Sequence, residues 1–253
     1  DYCDMNFDPL NATATFVDTP VYAGGNTIFQ ADYNKNDAFY CDIPLKNIVA
    51  LCREDILEKG KTWREITKNL RCEGWKEETI EYFEGPIKDK HFPAPNSRGP
   101  LKFVAYGGAL TCANGNHRLI AAKSWLASKL GNDAYLREVR VSYYPISDAV
   151  KELLFDALEQ SSDIMVYMLQ PEERETISVN GKEVVSFIAL SKEPEKIYAF
   201  HEDELTLTKG RLTFLDKMLG RTPRSWFKNK ETEIIDKETI EIILDESWAH
   251  KIN

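Results

Sequence analysis

The chain has 253 residues, 43% hydrophobic and 29% charged, with a formal net charge of −9. That balance points to neither disorder nor a membrane protein: no apolar run approaches the roughly 18 residues needed to cross a bilayer. The acidic charge excludes a protein that coats DNA with its whole surface, because phosphate contacts need local positive charge.

Five cysteines (Cys3, Cys41, Cys52, Cys72, Cys112) form neither a C-x-x-C pair nor a Cys/His cluster, so neither a zinc site nor a disulfide framework is expected. The start, Asp1-Tyr2-Cys3-Asp4, has no basic stretch leading into an apolar one, and a soluble, cytoplasmic protein with no membrane partner is expected.

Residues 1–36 are rich in Asn, Asp, Thr and Gly and keep no period, which suggests an irregular N-terminal arm. Over 38–49 a β-prone stretch is interrupted by Pro44, so an edge strand followed by a turn is expected. Thr62-x-x-Glu65 is a capping box that starts a helix with Trp63, Ile66 and Leu70 on one face and Gly74 near its stop. Two apolar runs, 101–106 and 109–112, flank Gly107-Gly108 at hairpin spacing. After Asn114-Gly115 the period becomes helical. Leu119, Ala122, Leu126 and Lys129 share one side, Trp125 and Leu130 help fill it, and Gly131 suits the C-terminal cap. Residues 139–144 return to strand.

A second unit is expected from about residue 147. Val150, Leu153, Leu154, Ala157 and Leu158 follow the template of an amphipathic helix, and Asn180-Gly181 between apolar residues marks a hairpin. Further helices are expected over 212–219, from Pro223, and over 237–250 with Ile240, Ile243, Leu244 and Trp248 inward. The class is therefore α+β: an arm (1–36), a first domain (37–146) and a C-terminal α+β unit (147–253).

Asn114-Gly115-Asn116-His117-Arg118 carries the most chemistry. A strand there leads through a glycine turn directly into a helix, so unpaired N–H groups and the positive helix end converge on one spot. His117 and Arg118 add donors, and the arginine fork suits phosphate. An ordinary helix start with a solvated His-Arg pair would use the same letters.

Gly-Asn-His-Arg-Leu-Ile-Ala-Ala, from Gly115, is similar to the Gly-x-x-Arg-x-x-Ala signature of the ParB/sulfiredoxin superfamily. Ile43-Pro44-Leu45-Lys46-Asn47-Ile48 resembles that family's opening strand, and residues 63–74 its helix before the hairpin. The resemblance covers about 105 of the 253 residues. It implies a nucleotide (ATP, ADP or CTP) whose phosphates sit on Asn114, Gly115, Asn116, His117 and Arg118, usually with magnesium. Sulfiredoxins carry a cysteine just before the His-Arg pair, where this chain has Asn116, so sulfinic acid reduction is not implied. The His-Arg pair resembles the kinase members, which tilts the reading toward phosphoryl transfer or nucleotide hydrolysis. In those kinases a glutamate after the opening strand acts near the acceptor hydroxyl. Glu54, with Asp55 as its alternative, and His117 are the expected catalytic residues. A nucleotide-switched binding module and a ParB-like nuclease are the rival readings, and such a domain would suit a phage or mobile element.

Residues 209–230 hold seven basic residues against one acidic residue. Lys209, Arg211, Arg221, Arg224, Trp226 and Lys228 are the expected nucleic-acid contacts there, which makes DNA a possible partner; a solvated basic face is the plainer alternative.

Overall fold

The computed structural model describes residues 12–23, 37–53, 60–68, 70, 76–94, 97, 99–169, 174, 177–201, 204–207 and 232–249. It is α+β and divides into two compact units, one of residues 1–25, 36–144 and 245–253, the other of 26–35 and 145–244. No helix among the described residues is long and apolar enough to cross a membrane.

The first unit is built on a six-stranded mixed sheet. Its strands are β1 (Tyr22–Ala23), β2 (Asp37–Pro44), β3 (Ile48–Leu51), β4 (Lys102–Tyr106), β5 (Ala109–Asn114) and β6 (Tyr135–Tyr144), in the spatial order β1-β3-β5-β4-β6-β2. β2 lies at the edge, where Pro44 at its end costs no ladder hydrogen bond inside the sheet. A 3-10 turn, Leu45–Asn47, then leads into β3. β4 and β5 form the hairpin around Gly107-Gly108, whereas β3 pairs with β5, and β4 with β6, in parallel.

Helix α1 (Trp63–Thr67) opens on the capping box: Glu65 N donates to Thr62 Oγ1 at 3.3 Å, and Thr62 N donates to Glu65 Oε2 at 2.9 Å. Its helical residues stop at Thr67, short of the expected 74; residues 71–75 lie outside the described residues. Helix α2 (Glu77–Glu84) and the 15-residue α3 (Asn116–Leu130) complete this unit. Leu119, Ala122 and Leu126 of α3 are buried as expected. Lys129 instead reaches out to Glu84 at 2.6 Å, and Leu130 is 44% exposed.

Ala12, Ala14, Phe16, Val17 and Val21 belong to this core. Phe16 and Val17, on a 3-10 turn (Thr15–Asp18), are buried, and Arg64 of α1 holds Asp18 at 2.6 Å and the Ala12 carbonyl at 2.9 Å.

The second unit carries helix α4 (Asp148–Glu159), N-capped by Ser147, and strands β7 (Ile164–Met168), β8 (Ser178–Val179), β9 (Lys182–Glu183), β10 (Ser186–Leu190), β11 (Glu193–His201), β12 (Glu204–Leu207) and β13 (Glu233–Ile235). Five of these form an antiparallel sheet in the order β12-β11-β10-β7-β13. All five residues of β10 are buried, as an interior strand requires. Asn180 and Gly181 join β8 to β9 with φ of 55° and 78°, the signs a two-residue type I′ turn demands.

Helix α5 (Lys237–Leu244) ends six residues short of the expected 250. Asp245 accepts from the Ser247 amide at 3.2 Å, and a side chain that supplies such a local acceptor competes with continued helix. The chain turns there, and Trp248 is buried within the first unit, its Nε1 donating to the Gly108 carbonyl at 2.9 Å. Asn47 Nδ2 donates to the same carbonyl at 3.0 Å. Trp248→Ala should therefore cost about 3–5 kcal/mol in denaturant unfolding. Trp248→Phe, which keeps most of the packing and loses one hydrogen bond, should cost about 1 kcal/mol.

Candidate anion site at the start of helix α3

β5 ends at Asn114, and Gly115 turns the chain into α3 with φ 96° and ψ 34°, a left-handed conformation that glycine adopts without steric cost. The space is closed as well. A Cβ on Gly115 would stand 2.6 Å from Leu101 Cδ2 and 2.9 Å from both Nε and Nη2 of Arg118. No side chain caps the helix, and the first amide to find an intrahelical acceptor is that of Leu119, which donates to the Gly115 carbonyl at 2.8 Å. The amides of Asn116, His117 and Arg118 lack such an acceptor, as the first N–H groups of any α-helix do.

The structure brings the expected turn residues together and assigns them different tasks. Asn114 Nδ2 donates to the Pro100 carbonyl at 2.7 Å. Asn116 is buried, its Nδ2 donating to Cys52 Sγ at 3.2 Å. His117 is exposed. Arg118 is half-buried, and its Nη1 donates to the Gly99 carbonyl at 2.7 Å while its Cζ lies 5.5 Å from the Phe92 ring centroid. Burial raises the Tyr82 phenol, and the Leu101 amide, which donates to it at 3.4 Å, and the Arg118 cation offset part of that rise.

These residues floor an open cleft of about 530 Å³. Cys52 and Arg53, just past β3, line it, as do Phe92, Ala94 and Ser97 from the segment between α2 and β4. Sequence patterning missed these wall residues. Cys52 and Arg53 arrive through the parallel β3–β5 pairing, and the only local hint of the other segment is its run of Pro93, Pro95 and Pro100.

Glu54, Asp55 and the whole basic segment, with Lys209, Arg211, Arg221, Arg224, Trp226 and Lys228, lie outside the described residues. Among the described residues, no group of three or more His, Cys, Asp or Glu could hold a metal. Cys112 is fully buried, and burial pushes its thiol well above the usual range, so it is poorly suited to act as a nucleophile. The arrangement can do one thing directly, which is to receive an anion. A helix end, three amides and an arginine converge on the floor of an open cleft.

Compared with known proteins, the chain matches no protein-family model, no curated protein and no solved structure.

The two glycines that bound α3 both have positive φ but differ in what surrounds them. Gly131 also has positive φ (64°), yet a Cβ there would meet nothing within 4 Å. Gly131→Ala should cost about 1–3 kcal/mol in denaturant unfolding, the expense of holding alanine at φ 64° and ψ −140°, where side chains other than glycine's are strained. Gly115→Ala should cost about 1–2 kcal/mol for alanine in left-handed backbone and about 1–3 kcal/mol because Leu101 and Arg118 must also move.

Proposed function

We propose that the first unit binds a nucleotide through its phosphates at Gly115, Asn116, His117 and Arg118, and uses it for phosphoryl transfer or hydrolysis. The observation that carries this reading is the uncapped start of α3 at left-handed Gly115, on the floor of a cleft of about 530 Å³ lined by both Arg53 and Arg118. The similarity of the Gly-Asn-His-Arg turn to the ParB/sulfiredoxin signature supports the choice of a nucleotide over other anions.

In this reading the amides of residues 116–118 donate to the phosphate oxygens and Arg118 adds a charge-assisted contact. Because Arg118 Nη1 is already held by the Gly99 carbonyl, the guanidinium is fixed before the ligand arrives. A magnesium ion would enter with the phosphates, since magnesium is commonly held by one or two carboxylates together with substrate phosphate oxygens. Glu54 or Asp55, which follow Arg53 in the chain, would supply the carboxylate that receives the acceptor's proton.

The decisive experiment is calorimetry with ATP, ADP and CTP plus magnesium, followed by mass analysis of the products. Arg118→Ala should weaken nucleotide binding by roughly ten- to a hundredfold, the loss of a contact of about 1.5–3 kcal/mol. Glu54→Gln should retain binding and lose turnover. Undiminished binding by folded Arg118→Ala removes the phosphate assignment.

DNA is the partner proposed for the C-terminal unit, on the strength of seven basic residues against one acidic within 209–230. DNA affinity should then fall steeply with salt, and Arg221→Ala with Arg224→Ala should flatten the slope by about one unit per lost phosphate contact. A salt-independent affinity removes DNA from the reading.

A further inference from the structure

Lys123 is a feature that the nucleotide reading does not use. It lies on α3, seven residues past Asn116, and is only 1% exposed. Its Nζ donates to the Ile48 carbonyl at 2.7 Å and stands 3.8 Å from the Trp63 ring centroid and 5.0 Å from that of Phe16. Among the described residues, no carboxylate lies within ion-pair distance of it. One carbonyl and two ring faces offset part of the hydration a buried ammonium loses, and no anion supplies the rest. Trp63 is buried with its own indole N–H unpartnered, so packing holds the ring and its face is turned to the amine.

One wall of this chamber is a separate stretch of chain. Phe16 belongs to residues 12–21, which lie against α1 and are fastened at their borders. Asp18 meets Arg64 at 2.6 Å, Trp63 N donates to the Thr19 carbonyl at 3.3 Å, and Val21 N donates to the Lys61 carbonyl at 2.9 Å. We infer that residues 12–21 form a proton-sensitive cover: it closes over Lys123 as the neutral amine and opens when Lys123 takes up a proton from water.

Burial lowers the proton affinity of Lys123 below the ordinary lysine value, in keeping with that chamber. Between the lowered value and the usual ~10.4 of an exposed lysine, the closed state binds fewer protons than the open one. Closure therefore strengthens as pH rises through this window; below the window both states are protonated and the dependence ends. Among the described residues, the other charged or titratable groups on α3 and on the elements around Lys123 are Asp18, Lys46, Cys52, Lys61, Arg64, Glu65, Lys68, His117, Arg118, Lys129 and Asp133, and none forms an ion pair with Lys123. Asp18 is held below the usual carboxylate range by its bond to Arg64, so its titration falls on the acid side of pH 6.

The test is hydrogen exchange of peptides covering residues 12–23 in the full-length protein, from pH 6 to pH 10, corrected for the intrinsic pH dependence of exchange. The opening constant should fall by up to tenfold per pH unit across the window, the limit set by one proton. In Lys123→Met it should be flat, with stronger protection at pH 6. A pH-independent opening in the unaltered protein, or an unchanged slope in Lys123→Met, overturns the inference. Should Lys123→Met fail to fold, the ε-methylene resonance of Lys123 in the unaltered protein decides. A titration midpoint below that of the exposed lysines supports the cover, and a midpoint equal to theirs overturns it.

Discussion

The first unit depends on one close approach. At Gly115 the backbone must leave β5 and enter α3 in a left-handed conformation, with Leu101 and the Arg118 guanidinium so close that a Cβ there would force them to shift. The β4–β5 hairpin sets this up, because its register pairs Lys102 with Asn114 and so brings Leu101 against the turn. Asn114 and Arg118 then tie back to consecutive carbonyls, those of Pro100 and Gly99. Hairpin, turn, helix and preceding segment thus close a ring whose open side is the cleft. A ring closed by backbone carbonyls leaves its amides and one edge of an arginine available in a fixed geometry, which is what recognition of a phosphate requires.

Short-range chemistry made much of the fold legible in the letters. Thr62 and Glu65 are three apart because each satisfies the other's backbone; Gly115, Gly131 and Asn180-Gly181 stand where positive φ is needed; and α3 shows its buried face through Leu119, Ala122 and Leu126. The misses came where distant segments decide. The parallel pairing of β3 with β5 leaves no local spacing, so Cys52 and Arg53 could not be placed beside the turn in advance. Trp248 keeps helical spacing with Ile240 and Leu244, yet a local acceptor at Asp245 ends the helix and the indole is buried in the other unit. Nothing in the local spacing marks Lys123 as interior, and only the meeting of Trp63, Phe16 and Ile48 makes it so.

α3 links the two findings made on this unit. One of its faces presents Asn116 to Cys52, just past the end of β3, and Lys123 to Ile48 at its start, so the helix is fastened along the strand at two points seven residues apart. The turn that would hold phosphate and the chamber that holds the amine are therefore parts of one rigid contact between helix and strand. The basic side chains at the two places play opposite parts. Arg118 keeps its charge at the cleft, where an anion could meet it, whereas Lys123 is enclosed away from any anion.

The most direct measurement is an amide NMR titration of the full-length protein with ADP and magnesium. Saturable shifts centred on the amides of Asn116, His117 and Arg118 are expected, because those groups have no helical acceptor of their own. Saturation that moves other regions and leaves these three amides unchanged, or no response at millimolar ADP, would contradict the account.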